Sequence, residues 1–124
     1  MAEEKTLQTI TNELSTAYHA QSAGNLGRAR VCARRVAGWA IETHLGAQGD
    51  HPVTHNALDN IKYYASLPGL PEKVREVLEH LILRVVKDSE EADSYYPLAE
   101  VDLIAEAQWL AEELLGVTLN PEIE

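Results

Sequence analysis

The stretch from Asn25 to Gln48, NLGRARVCARRVAGWAIETHLGAQ, is the longest unbroken helical pattern in the chain and constrains the fold most. At about 100° per residue, Leu26, Ala29, Ala33, Val36, Ala37 and Ala40 fall on one face. A face this rich in alanine lets neighbouring helices approach closely, so the segment is expected to be the spine of an all-helical domain. Its arginines fall on the flanks, Arg28 with Arg35 on one side and Arg30 with Arg34 on another.

The rest of the chain repeats the same period. Residues 3–22 place Leu7, Ile10, Leu14, Ala17, Tyr18 and Gln21 at helical spacing, and Ala23-Gly24-Asn25 supplies a stop and a short reversal. After the breakers Gly49-Asp50-His51-Pro52, Thr54 is the expected cap of a short helix from His55 to about Ser66, with Ala57, Leu58, Ile61, Tyr64 and Ala65 inward and Lys62 and Tyr63 on or near the outer face. Leu67-Pro68-Gly69-Leu70 is a turn, and Pro71 suits the first position of a fourth helix with a stripe of Val74, Val77, Leu78, Leu81, Ile82 and Val85. Residues 88–97, DSEEADSYYP, read as an acidic surface loop. A last helix over about 98–115 buries Leu103, Ile104, Ala107, Leu110, Ala111 and Leu114, stops at Gly116 and leaves a polar tail. About five helices with short connections and no strand pattern predict a single antiparallel helical bundle over residues 1–124 with a four-helix up-and-down core. A tetratricopeptide-like scaffold is the alternative, since Leu14, Ala17, Tyr18, Gly24, Ala29 and Ala33 loosely echo that hairpin. Only one such unit is found, and a solenoid needs several.

At this length one core forms without disulfides or metal. The single cysteine, Cys32, together with the lack of an apolar leader or membrane segment, points to a reducing cytoplasm. Twenty acidic residues against ten basic ones give a field that repels phosphate backbones and disfavours nonspecific nucleic-acid binding. There is no Gly-rich phosphate loop, no cysteine pair and no H-E-x-x-H arrangement. His44, His51 and His55 are interrupted by Pro52, so neither a metal nor a cofactor is expected.

Three features share an order and spacing with one helical family. They are the alanine-rich helix ARVCARRVAGWAIETHL (Ala29 to Leu45), the turn Pro52-Val53-Thr54-His55-Asn56-Ala57-Leu58, and a tyrosine-proline loop before a final acidic amphipathic helix. Over residues 25–115 the chain resembles a HEPN domain, found beside minimal nucleotidyltransferases in prokaryotes and in several ribonuclease toxins. It departs from the family at Asn56, where aspartate is usual, and at Gly38-Trp39. The resemblance implies a dimerising bundle that binds a nucleotide, a nucleotidyltransferase partner or both, or else cleaves RNA through an arginine and a histidine four to six residues apart.

Arg75 and His80 have that spacing. In a ribonuclease the histidine would act as general base on the ribose hydroxyl and the arginine would stabilise the phosphate transition state, without a metal. Residues five apart on a regular helix point about 140° away from each other, so the pair needs a frayed turn or a site shared between two copies. For a nucleotide, Arg34 and Arg35 with His55 and Lys62 are the expected contacts, because the turn at Pro52 brings the third helix back along the central one. Trp109 and Leu83 face away from the predicted core stripes and are the expected anchors of a homodimer interface. The first expectation is therefore a non-catalytic HEPN-like binding module, with the ribonuclease and the plain helical scaffold as alternatives.

Overall fold

Gly24 sets the first reversal of the chain. In the computed structural model, which describes residues 4–47, 56–82 and 102–121, its φ is +83°, a left-handed conformation that glycine adopts without strain. The Asn25 amide donates to the Ala20 carbonyl at 2.8 Å, closing helix α1 (Glu4–Ser22). The Asn25 side chain then accepts from the Arg28 amide at 3.2 Å and caps helix α2 (Leu26–Ala47). So short a connection folds α1 and α2 into a packed antiparallel hairpin.

Helix α3 (Ala57–Ala65) is capped by Asn56, whose side chain accepts from the Asp59 amide at 2.9 Å. The cap expected at Thr54 is thus two residues later, because Asn56 holds the extended conformation from which its amide oxygen reaches into the first turn. Thr54 and His55 lie outside the described residues. Removing this cap, Asn56→Ala, is expected to cost about 1 kcal/mol. That would lower a thermal unfolding midpoint by about 4 °C.

Helix α4 (Glu72–Ile82) follows the turn at 67–70. Pro71 stands one position before the first helical residue, its carbonyl accepting from the Arg75 amide at 3.0 Å. Helix α5 (Leu103–Leu115) is capped by Asp102, which accepts from the Ala105 amide at 3.0 Å. It ends at Gly116 with φ +67°. Residues 98–101, where the sequence pattern starts this helix, lie outside the described residues, as do the acidic stretch 88–97 and Val85.

Together these elements form an all-α bundle with α2 at its centre, packed against α1, α3 and α5, while α4 bridges α3 and α5. The core takes Ile10, Leu14 and Ala17 from α1, Ala33, Val36, Ala37, Ala40 and Ile41 from α2, Ile61 from α3, Val77, Leu78 and Leu81 from α4, and Ile104, Ala107, Leu110 and Ala111 from α5. Among the described residues no helix is long and apolar enough to cross a membrane.

Three packing details differ from the sequence pattern. Leu26 is 42% exposed, because it opens α2 at the hairpin tip, past the end of α1. Gln21 is exposed and Ala20 buried in its place, since the smaller side chain lets the last turn of α1 lie against the bundle. The segment after Gly116 is not simply a polar tail, for Leu119 returns to the core with 5% exposure. Its amide donates to Glu112 Oε2 at 2.9 Å and its carbonyl accepts from Gln108 Nε2 at 3.2 Å. Gln108 Oε1 in turn accepts from the Tyr18 hydroxyl at 3.0 Å, which joins α1 to α5. Burial, followed by the charges of Asp102 and Glu112, raises the pKa of that hydroxyl and keeps it a donor.

Gly38 marks a close approach of α3 to α2. A Cβ built on it would lie 2.5 Å from Ala57 Cβ and 2.6 Å from Ala57 Cα. The first turn of α3 therefore rests on the bare backbone of α2.

Candidate functional site

Helix α4 lies between two neighbours and divides its polar side chains between them. Arg75 turns to α3 and the turn beyond it, where Nη1 donates to the Ala65 carbonyl and Nη2 to the Leu67 carbonyl, both at 3.2 Å. These acceptors lie at the negative end of α3, where a fixed cation is favourable. His80 turns the other way, to α5, with Nδ1 and Glu106 Oε1 2.8 Å apart. The carboxylate can only accept, so the ring N–H donates. The five-residue spacing thus puts Arg75 and His80 on different sides of α4, as helical geometry demands, and one copy of the chain does not bring them to a shared substrate atom.

The arginines of α2 separate in the same way. Arg34 Nε donates to the Leu81 carbonyl near the end of α4 at 2.7 Å, while Arg35 Nη1 pairs with Glu13 Oε2 of α1 at 3.2 Å. The two guanidinium groups serve neighbours on different sides of the central helix. Lys62 is exposed on α3. His55, the fourth residue expected at a nucleotide, lies outside the described residues, and so does Leu83.

What the structure does bring together is His80 and Trp109. Lys73, Glu76, Val77 and His80 recur at i, i+3, i+4 and i+7 on α4, and Asp102, Ala105, Glu106 and Trp109 recur with the same offsets from the α5 cap. The two stripes face each other across an open groove of about 380 Å³. Its three carboxylates against one ammonium give a formal charge of −2 with His80 neutral. Trp109 is half-buried, and Lys73 Nζ sits 4.3 Å from the centroid of its ring, within the range of a cation–π contact. The indole that the sequence pattern sends outward therefore forms one wall of this groove.

No family model, curated protein or solved structure matches the chain. Its chemistry rests on its own side chains. A second open groove, of about 270 Å³, lies between α1 and α2 beside Trp39, Lys5 and Glu42.

Two further residues of chemical interest are structural. His44 packs edge-on against Tyr64, ring centroids 5.9 Å apart and planes at 87°, and the described residues contain no group of three or more metal-ligating side chains. Cys32 is 1% exposed, and burial, then its contact with Glu13, pushes the thiol up to about 11 despite the nearby charges of Arg28 and Arg35. A thiol so placed is almost wholly protonated at neutral pH. Native protein is expected to resist iodoacetamide and to be alkylated rapidly only after denaturation, a difference that intact mass measurement reads directly. The unfolded thiol ionises near 9 and the folded one near 11. The contribution of this group is thus complete below about pH 9 and falls away as pH rises towards 11.

Proposed function

We infer that the chain is a non-catalytic, HEPN-like helical binding module whose ligand is a protein partner. The observation that carries this reading is the division of α4. A general base and a phosphate-stabilising cation must reach the same phosphodiester, whereas Arg75 is committed to the carbonyls of Ala65 and Leu67 and His80 to Glu106. Arg34 and Arg35 likewise turn to different neighbours, so these two guanidinium groups do not close on one phosphate. The groove between α4 and α5 carries more carboxylates than cations and would repel a triphosphate. Of the ligands implied by the HEPN resemblance, a nucleotidyltransferase partner is the one this geometry favours, with the module itself acting as a homodimer.

The test has three parts on one preparation. Incubation with single-stranded RNA is expected to give no cleavage, with Arg75→Ala and His80→Ala indistinguishable from the parent. Thermal unfolding with nucleoside mono-, di- and triphosphates is expected to be unshifted, where a ligand at 100 times its dissociation constant would add about 2.7 kcal/mol. Co-purification with a co-encoded nucleotidyltransferase is expected to give a stable complex. Cleavage that disappears in either variant would replace this reading with the ribonuclease. A nucleotide-dependent shift lost in Arg34→Ala or Lys62→Ala would restore the nucleotide site.

A further inference from the structure

We propose that the groove between α4 and α5 receives an arginine or lysine side chain from a protein partner, and that Lys73 holds that place until the partner arrives. The proposal rests on the reading of the chain as a binding module and adds the chemistry of what is bound. An indole face beside carboxylates is a surface built for a cation, because the ring supplies its negative face and the acids supply charge and hydrogen-bond acceptors. Trp109 provides the face, Glu76, Asp102 and Glu106 provide the acids, and together they line one groove. The cation already resting on the ring, 4.3 Å from its centroid, is the chain's own Lys73.

Charge complementarity selects the occupant. The groove carries a formal charge of −2 even with Lys73 counted, on a chain of formal charge −10, so acidic peptides and phosphates are repelled and basic segments are drawn in. Lys73 is an exposed residue, outside the buried stripe of Val74, Val77, Leu78 and Leu81, and can swing off the ring without disturbing that stripe. Its departure raises the negative charge left around the ring, which favours the incoming cation further. His80 remains tied across the groove to Glu106 and positions that carboxylate.

A fluorescein-labelled peptide of alternating arginine and glycine, titrated with the full chain at low salt, reads this by fluorescence anisotropy. Binding is expected. It should weaken by tenfold or more in Trp109→Ala and in Glu76→Gln/Glu106→Gln. It should change less than about twofold in Glu79→Gln/Glu113→Gln, which removes the same charge from exposed positions outside the groove. Lys73→Ala should tighten binding several-fold, because the resident cation is gone. Glu76→Lys, at an exposed position, gives the same loss should Trp109→Ala fail to fold. Equal losses in the two charge-matched double variants would overturn the proposal in favour of diffuse attraction to an acidic protein. No binding by the parent chain would overturn it too, as would unchanged or weaker binding by Lys73→Ala. Self-association abolished by Glu76→Lys, without peptide binding, would make a second copy of the chain the occupant and overturn the partner assignment. The RNA-cleavage assay on the same samples tests the binding-module reading separately, so the two ideas fail on different measurements.

Discussion

Gly38→Val lowers the unfolding free energy by about 3 kcal/mol, as the shift in a urea midpoint at unchanged slope will record. The first added carbon already meets Ala57 at 2.5 Å from its Cβ and 2.6 Å from its Cα. The second of these is a main-chain atom, which yields only if the start of α3 moves. Gly38→Ala separates the two opposing effects. Alanine improves helix propensity by up to about 1 kcal/mol, while overpacking costs about 1–3 kcal/mol. With backbone as the obstacle the clash wins, so a net loss of about 1 kcal/mol or more is expected. Gly46→Ala is the matched control. It lies on the same helix with nothing within 4 Å of an added Cβ, and it should gain a few tenths of a kcal/mol. Stabilisation by Gly38→Ala equal to that of Gly46→Ala would show that α3 does not rest on α2 as described.

Leu110→Ala is the second large effect, a loss of about 3 kcal/mol. Leu110 is fully buried on α5, a helix packed against α2, and its removal takes apolar contacts away and leaves a cavity. The comparison that makes the result informative is Leu26→Ala. The sequence period places Leu26 on the same buried face as Ala33 and Val36, yet it is 42% exposed. Its truncation should change stability by no more than about 0.5 kcal/mol. Comparable losses in the two variants would mean that the hairpin tip is covered.

Helical period and chain punctuation are local properties, and they were legible. The five helices, their stops at Gly24 and Gly116 and most of the stripe from Ala29 to Ala40 could be read from the order of residues. What could not be read depends on which neighbour lies where. Nothing in Gly38 marks it as a contact point until α3 is known to cross there. Nothing in Leu119 distinguishes it from a tail residue until Glu112 and Gln108 are seen to hold its amide and carbonyl. Arg34 and Arg35 look alike in sequence, but adjacent helical positions face different helices, so one meets the Leu81 carbonyl and the other Glu13. The groove was half legible. His80 and Trp109 stood out separately, as a general base and as an interface anchor. The signal that joins them is the repeated i, i+3, i+4, i+7 offset ending at each, which becomes a site only when α4 and α5 are placed side by side.

Gln108 is held at both ends of its amide, with its oxygen taken by the Tyr18 hydroxyl and its nitrogen shared between Glu112 and the Leu119 carbonyl. One side chain therefore couples the first helix, the last helix and the segment beyond it. Local opening at this end of the bundle is a concerted event, because freeing residues 117–121 loosens the hold on Gln108 and with it the hold on α1. In hydrogen exchange, the Leu119 amide then reports on the α1–α5 contact as well as on the strand of chain that contains it.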